Sequence, residues 1–310
     1  MKVDAPRAGL RIDAFLFAAL PFASRTRLRQ KIQTGEALLN GRRIASSTRL
    51  REGDEVTVLW RGVPDVTPAP SMDVLYEDEA LLAVDKPAGI ACHPMGRRQS
   101  GTVIQFARQR EELQIRARLE QGDTSWYPRL VNRLDVFTSG IVLIARTHQV
   151  LVAMQRLTAA GVVRKQYVAL VEGVIAGEEG LIDLPLGLNP AGRVRVKMHV
   201  RPDGRPCLTE WRVRRRLPGH TLLSVTLLGG RQHQVRAHLA AVGHPVLGDL
   251  LYKDEELFLR YQEKGADASL PRRHCLHAER MMFPHPLSGA AVTIEAPLPP
   301  DFQEIISEIA

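Results

Sequence analysis

The segment Val131–Gly140 places one carboxylate, Asp135, in the connection between two apolar runs, with Arg133 two residues before it. A carboxylate in such a connection can reach a substrate while the flanking strands keep it in place. It can act as a covalent nucleophile, or it can stabilise positive charge that develops on a sugar. An Asp in a turn more often bonds the local backbone, so the position of Asp135 alone does not establish catalysis.

The chain is strongly basic, since its 310 residues carry a net charge of +8 and its isoelectric point is about 9.7. Lysine and arginine side chains that contact phosphates release condensed counterions, so this excess favours nucleic acid as the partner. A basic surface without a specific partner would have the same charge. Composition therefore leaves both interpretations open.

Three cysteines, an odd number without CxxC spacing, argue against a disulfide framework and favour the reducing cytoplasm. The segment His274–His277 contains possible metal ligands, but no second cluster has matching spacing, so we predict no metal site. The apolar run at residues 14–23 is broken by Pro21, and no apolar run has the length of a membrane span. We expect a soluble, monomeric cytoplasmic protein.

A proline-rich segment, residues 61–71, predicts a semi-rigid linker between two domains. We place a small domain at residues 10–61, the linker at 62–72 and a large domain at 73–300. In the small domain, the spacing of Ile12, Phe15, Leu16 and Ala19 predicts an amphipathic first helix, and Ser24 and Gly35 bound a second. Short strands are predicted at residues 37–40, 43–44 and 55–60, with a turn at Asn40-Gly41.

The second helix and the turn after the first strand carry a dense set of cations. A solvated charged helix face is the ordinary explanation, but this density also suits phosphate binding. The residues that we predict to contact RNA are Arg25, Arg27, Arg29, Lys31, Arg42 and Arg43.

The large domain alternates short β-rich runs with long connections, which predicts a mixed α+β fold rather than a doubly wound one. Helices are predicted after Thr147, ending before Gly161, and at residues 232–242. The predicted strands cover residues 74–77, 81–85, 130–132, 140–146, 164–172, 193–200, 208–217 and 222–228.

Two regions of the chain resemble known families. Residues 11–54 are similar to the S4 RNA-binding domain, a small α/β domain whose basic helix contacts structured RNA. Asn132–Gly140 resembles the catalytic signature H-R-L-D-x-x-T-S-G of RluA-family pseudouridine synthases, with Asn132 in place of the usual His and Phe137 in place of a polar residue. Further blocks follow in the family's order: Tyr76–Asp78, Lys86–Gly89, His93-Pro94, Lys165–Gly173, Gly230–His238, Gly243–Asp249, Leu276–Ala278 and His285-Pro286.

The resemblance implies a mainly antiparallel catalytic domain that converts uridine in structured RNA to pseudouridine without a cofactor. It makes Asp135 the catalytic carboxylate and Arg231 its charge partner, although a phosphate contact or a surface salt bridge would also suit Arg231. Tyr167 would stack on the uracil, and Arg133 would fill the space that a flipped-out uridine leaves. The remaining predicted substrate contacts are Leu276, His233, Gln234 and Arg236.

Three alternatives remain beside this interpretation. Asp135 could act by covalent attack or by taking a proton from the sugar, and the resemblance accommodates both routes. The appended S4-like domain favours large-subunit ribosomal RNA as the substrate, whereas transfer RNA is the other candidate within the family. A non-catalytic RNA-binding protein on the same fold is the rival from another class.

Overall fold

The structure is a computed structural model that describes residues 1–20, 23, 25–59, 70–94, 100–121, 123, 125–228, 230–264 and 273–310. Its helices are α1 Ile12–Ala19, α2 Arg25–Thr34, α3 Val103–Arg110, α4 Glu112–Glu120, α5 His148–Ala159, α6 Gln234–Ala241, α7 Leu250–Lys253, α8 Glu255–Lys264 and α9 Pro300–Ile309. None of the described helices is long and apolar enough to span a membrane.

The strands, in the same described part of the chain, fall into a small N-terminal pair and a larger set. They are β1 Ala37–Leu39, β2 Val56–Val58, β3 Val74–Glu77, β4 Leu81–Lys86, β5 Trp126–Leu130, β6 Ser139–Thr147, β7 Arg164–Glu172, β8 Glu179–Asp183, β9 Leu186–Leu188, β10 Met198–Val200, β11 Leu208–Leu217, β12 His220–Leu228, β13 Leu276–Pro284 and β14 Ala291–Glu295.

The chain forms two compact units whose composition differs from the domains predicted above. The first comprises Met1–Ser71, Ile90–Leu130 and Ile144–His148, and the second comprises Met72–Gly89, Val131–Leu143 and Gln149–Ala310. The first unit thus contains α3, α4 and β5 besides the S4-like elements. Residues 62–69 of the predicted linker lie outside the described residues, and the domain boundaries stay a prediction.

The N-terminal elements form around an apolar core as their spacing predicts. Ile12, Phe15 and Leu16 of α1 are buried against Leu28 and Ile32 of α2 in one cluster. Strand β1 pairs antiparallel with β2, and Asn40 and Gly41 both adopt positive φ in the predicted turn. The predicted strand at residues 43–44 is not formed, since only an isolated bridge joins Leu39 to Arg42. The predicted cap, Ser24, lies outside the described residues.

A buried carboxylate joins the two N-terminal helices. Asp13 is 1% exposed, and its oxygens accept hydrogen bonds from Arg11 Nε at 3.0 Å and Arg29 Nη2 at 3.0 Å. Burial raises the pKa of Asp13, but hydrogen bonds and charge from these two arginines outweigh that effect and hold it below 3.8. Arg29 therefore stabilises the fold through its hydrogen bonds to Asp13.

The prediction that Lys31 belongs to an exposed basic face is wrong. Lys31 is only 7% exposed, and its Nζ donates to the carbonyl oxygen of Leu59 at 2.7 Å and to Glu36 Oε2 at 3.2 Å. A long stem lets a helical lysine turn inward when acceptors are near, and the helical spacing does not show those acceptors. Arg42 and Arg43 are exposed as predicted.

The second unit contains one twisted sheet in the strand order β3-β4-β6-β13-β7-β12-β11-β8, with β14 on β13. The pairs β13–β7, β7–β12, β12–β11 and β11–β8 are antiparallel, whereas β13 and β6 run parallel. Strands β9 and β10 form a separate hairpin. In the first unit, β5 pairs antiparallel with the C-terminal end of β6. The predicted α+β class with a mainly antiparallel sheet is confirmed.

Strands β3, β7 and β11 and helix α2 have the predicted bounds, whereas several other elements differ. The run at residues 193–200 contributes only Met198–Val200, because turns occupy the residues before it. The sequence analysis did not predict β8, β9, β13 or β14. Strand β13 contains His277, Glu279 and Arg280 among its apolar residues. It lies inside the sheet between β6 and β7, where these polar side chains have partners on several elements, and its sequence therefore lacks the period-two alternation of a half-buried strand.

Two of the sequence blocks meet at Asp78 in the second unit. Asp78 Oδ1 accepts hydrogen bonds from the backbone N–H groups of Ala80 and Leu81, which closes the β3–β4 turn. Its Oδ2 contacts Tyr76 Oη at 2.5 Å and His285 Nε2 at 2.9 Å. The hydrogen bond to Asp78 and burial raise the pKa of Tyr76 to about 12. These blocks therefore shape the fold.

Replacing Asp13 with Asn should destabilise the protein at neutral pH and much less in acid. The folded-state pKa lies below the unfolded value of about 3.8, so the ionised group stabilises the fold above that pH and ceases to do so as pH falls through the folded pKa. We expect a loss of about 1–3 kcal/mol at pH 7, measured by denaturant unfolding.

Asp4→Asn is the matched control, because Asp4 forms an exposed ion pair with Arg7 at 3.5 Å in the same segment. Its effect should stay within about 0.5 kcal/mol. A loss for Asp13→Asn that is the same at every pH would contradict an ionic role for this carboxylate.

Candidate active site

The loop between β5 and β6, residues 131–138, accepts hydrogen bonds from the Lys86–Gly89 block. The carbonyl oxygen of Val136 accepts hydrogen bonds from the backbone N–H of Gly89 at 2.8 Å and from Lys86 Nζ at 3.0 Å. Lys86 is fully buried at the end of β4. A buried ammonium group needs strong acceptors, and this carbonyl is one of them. The position of Asp135, next to Val136, is thus fixed through the backbone.

Asn132 closes the other side of the same loop. Its Nδ2 donates to the carbonyl of Ile141 at 3.1 Å, and its Oδ1 accepts from the N–H of Leu143 at 2.7 Å. The side chain is buried and bonded to β6, so the departure from the family's usual His concerns loop structure. An amide suits this position because it both donates and accepts.

The residues after Asp135 attach the loop to β13 and its N-terminal approach. Thr138 Oγ1 lies 2.7 Å from His274 Nε2, and Ser139 Oγ lies 2.9 Å from His277 Nδ1. Gly140, with φ of +107°, pairs with Ala278, and a Cβ atom there would lie 2.2 Å from the Ala278 carbonyl oxygen. Only glycine permits this approach of β6 to β13. His274 and Cys275, weighed above as metal ligands, are both buried here.

Asp135 is bound by Arg236, and Arg236 is bound in turn by Asp249. Arg236 Nη1 donates to Asp135 Oδ2 at 2.7 Å, while its Nε and Nη2 donate to the two oxygens of Asp249 at 2.6 and 2.8 Å. The Arg236 side chain is 8% exposed, Asp249 1% and Asp135 26%. A planar guanidinium can serve both carboxylates at once, whereas an ammonium group cannot match this geometry.

His233 completes the surroundings of Asp135 from the N-cap position of α6. Its backbone has φ of +54°, which is uncommon for a residue with a side chain. This conformation places Nε2 at 3.6 Å from Asp135 Oδ1, while Nδ1 lies 3.1 Å from Tyr252 Oη. Burial lowers the pKa of His233 despite the nearby carboxylates, so the ring is neutral at pH 7.

The site favours the ionised form of Asp135. Burial raises its pKa, but the charge of His233 when protonated, the charge and hydrogen bond of Arg236 and the charge of Lys86 lower it further, and the net shift is downward. Arg236 keeps its positive charge beside Asp135 whatever the protonation state of His233. Asp135 is therefore a partly accessible carboxylate, available as a nucleophile or a base.

Tyr167 and Leu276 lie on one face of the sheet. Tyr167 of β7 stands opposite Val225 of β12 and Ala278 of β13, and Leu276 stands opposite Ala169, two residues further along β7. Directly opposed residues and positions i, i+2 share a face. Burial and the charge of Asp135 raise the pKa of Tyr167, so its hydroxyl is protonated at neutral pH.

The predicted pairing of Arg231 with Asp135 is wrong. Arg231 is exposed, and among the described residues the guanidinium that contacts Asp135 belongs to Arg236. Both arginines occur in the same sequence block, and His233, which lies between them, has a left-handed backbone conformation. The resemblance to the family does not show which of the two arginines contacts Asp135.

The predicted substrate contact by Gln234 is also incompatible with its position. Gln234 is buried; its Oε1 accepts from the N–H of Arg231 at 2.9 Å, and its Nε2 donates to the Leu208 carbonyl at 2.8 Å and to Thr209 Oγ1 at 3.0 Å. The amide thus fixes the start of α6 to β11. Arg133, in contrast, is exposed, as a residue that enters RNA must be.

The roles of Asp249 and Lys86 were not predicted from the sequence, although both belong to blocks that resemble the family. An aspartate after Gly248 and a lysine before Pro87 each need an ionic or polar partner when they are buried, which is the signal that could have identified them. No pattern in the chain, however, indicates which group each of them contacts.

Comparison with known sequences agrees with this geometry. The family described as RNA pseudouridylate synthase matches residues 80–241, and the S4 domain matches residues 10–56. The Xanthomonas campestris protein named ribosomal large subunit pseudouridine synthase D is 36% identical over 97% of this chain and 89% of its own length. The Neisseria meningitidis serogroup A protein of that name is 32% identical over 99% of this chain and 80% of its own length.

Solved structures give the same fold. The structure titled Human RNA Pseudouridylate Synthase Domain Containing 4 aligns with a TM-score of 0.56 and 22% identity, over 76% of this chain and 92% of that one. The structure titled Human RNA Pseudouridylate Synthase Domain Containing 1 aligns with a TM-score of 0.52 and 21% identity, over 81% of this chain and 97% of that one. The chain belongs to the RNA pseudouridylate synthase family and carries an S4 domain at its N-terminus.

Proposed function

We propose that this pseudouridine synthase modifies large-subunit ribosomal RNA, with Asp135 as its essential catalytic carboxylate. The observation that carries the catalytic part is the ionised, partly exposed Asp135, held by Arg236 between two carboxylates. A non-catalytic RNA-binding protein would not need a carboxylate kept charged at the bottom of a substrate site. The names of the relatives favour ribosomal over transfer RNA.

The reaction breaks the N1–C1′ bond of uridine and joins C5 to C1′ after the base has turned. The proton that leaves C5 is balanced by one gained at N1, so no redox step and no external group are required. Asp135 can form a bond to C1′ or take a proton from the sugar, and both routes require its ionised form. Tyr167, protonated and on the same sheet face as Leu276, is suited to stack on the uracil.

Recognition of the RNA begins with phosphate contacts outside the catalytic site. Arg42 and Arg43 are exposed in the S4 domain, and half-exposed Arg29 keeps one side toward solvent while it binds Asp13. These cations are the strongest candidates for phosphate contacts, together with Arg27. Lys31 is excluded by its burial, and the side chain of Arg25 lies outside the described residues. We also propose a cytoplasmic monomer without a cofactor, and the three free cysteines support the reducing compartment.

The Asp135→Asn variant should lose pseudouridine formation and keep its RNA affinity, because Asn preserves the shape of the group and removes its charge. The proposal is tested by mapping pseudouridines in ribosomal RNA from cells that lack the gene and carry either the wild-type or the variant copy. Restoration by Asp135→Asn to within tenfold of wild-type activity would refute the catalytic assignment. Sites that map to transfer RNA would refute the substrate.

Arg236 and Arg231 form a matched pair of test positions in one block. Arg236→Lys should slow single turnover by about tenfold or more, since an ammonium group cannot bridge two carboxylates. Arg231→Gln should leave saturated single turnover unchanged and weaken only RNA affinity, with a salt slope smaller by about 0.7–0.9. The reverse pattern, with loss of turnover in Arg231→Gln alone, would restore Arg231 as the partner of Asp135.

Arg133 should assist extrusion of the uridine. It is exposed and lies two residues before Asp135, so its flat guanidinium can occupy the space that the base vacates. Arg133→Ala should slow single turnover on a paired target. The activation free energy should rise by up to roughly the few kcal/mol that unstacking costs. The defect should shrink when the same uridine is unpaired, and equal losses on both RNAs would assign Arg133 to phosphate or to Asp135.

A further inference from the structure

Lys165, in the block that contains Tyr167, is a half-buried cation to which nothing above assigns a role. It stands two residues before Tyr167 on β7, so both side chains lie on the same sheet face. Its directly opposed neighbours are Leu227 on β12 and Met281 on β13, both buried and apolar. The aliphatic stem of Lys165 therefore lies in an apolar row beside the face that carries Tyr167.

In the part of the chain that the structure describes, the ammonium group of Lys165 has no hydrogen-bond or ion-pair partner. Desolvation lowers the pKa of Lys165 below its ordinary value. Partial desolvation of an ammonium group without an acceptor is unfavourable, because nothing offsets the lost hydration of its charge. Lysines in folded proteins normally keep such a head in water or in contact with an anion. The arrangement is understandable if an anion binds there.

The position of this ammonium group points to the RNA backbone. Its nitrogen lies 4.0 Å from where a Cβ atom of Gly230 would be, at the segment that leads into His233 and Arg236. Exposed Arg231 follows directly, so the entrance carries two cations. Positions i and i+2 of a strand are about 6.8 Å apart, which is comparable with the length of one nucleotide. With a uracil against Tyr167, the neighbouring phosphate falls within reach of Lys165.

We propose that Lys165 is a substrate-binding residue whose ammonium group binds an RNA phosphate adjacent to the target uridine. This inference rests on the proposed function and deepens it. The contact orders the nucleotide before chemistry: Tyr167 holds the base, Lys165 holds the backbone, and Asp135 meets the sugar between them. In the free protein, the ammonium group already lies where it would donate a charge-assisted hydrogen bond to the RNA phosphate.

The test compares Lys165→Met, Lys165→Arg and the control Arg164→Met in the full-length protein. Arg164 is the adjacent residue, exposed and on the opposite face of β7. The probe is an RNA fragment that the wild-type protein modifies, prepared with ordinary phosphates or with a neutral methylphosphonate beside the target. We expect Lys165→Met to lower single-turnover efficiency by about tenfold to a hundredfold and the salt slope by about 0.7. Lys165→Arg should recover part of the loss, and Arg164→Met should match wild type.

The decisive measurement is whether the losses of efficiency caused by the Lys165→Met substitution and by the methylphosphonate add up when the two are combined. The methylphosphonate should impair the wild-type protein and cost Lys165→Met little more, because both changes remove the same contact. Purely structural damage would instead make the two losses additive, with a lowered melting temperature, and would overturn the proposal. Wild-type efficiency in Lys165→Met would overturn it as well. Failure of the wild-type protein to modify any RNA would reject the proposed function itself, an outcome distinct from the other two.

Discussion

The candidate active site depends on one guanidinium group shared by two carboxylates. Arg236 is almost wholly buried, and its charge is balanced by Asp249 on one edge and Asp135 on the other. Asp249 is inaccessible and Asp135 is not, so the fully buried partner holds the arginine while the accessible one remains free for substrate. If Asp135 were the only carboxylate bound by Arg236, it would have to hold the arginine in place and contact the substrate as well. Asp249 holds the arginine, so Asp135 needs only to contact the substrate.

Everything around this bridge restricts the motion of the loop that carries Asp135. Lys86 and Gly89 hold the Val136 carbonyl, Asn132 binds the backbone of β6, and Thr138 and Ser139 bind His274 and His277. Fixing a loop residue costs about 1–2 kcal/mol of backbone entropy. Folding has met that cost before any RNA arrives. The energy of substrate binding is then available for extruding and turning the base.

Local patterns predicted much of this architecture and part of the site. Strands β7 and β11 and helix α2 appear where periodicity places them, because their neighbours bury one face of each. Strand β13 was missed because its polar residues meet partners from distant parts of the chain. Arg231 was predicted as the partner of Asp135 from the family resemblance, whereas Arg236, which follows the left-handed residue His233, makes the contact. Side-chain direction after an unusual backbone residue is a tertiary property.

The bond from Lys86 to the Val136 carbonyl has a consequence for how this site can vary. Because the loop is gripped by its main chain, the side chains at positions 136 and 137 contribute nothing to that attachment. Phe137 packs edge-on near His274, with the two ring centroids 6.4 Å apart. Substitutions at these two positions can therefore leave the main-chain attachment of the Asp135 loop intact.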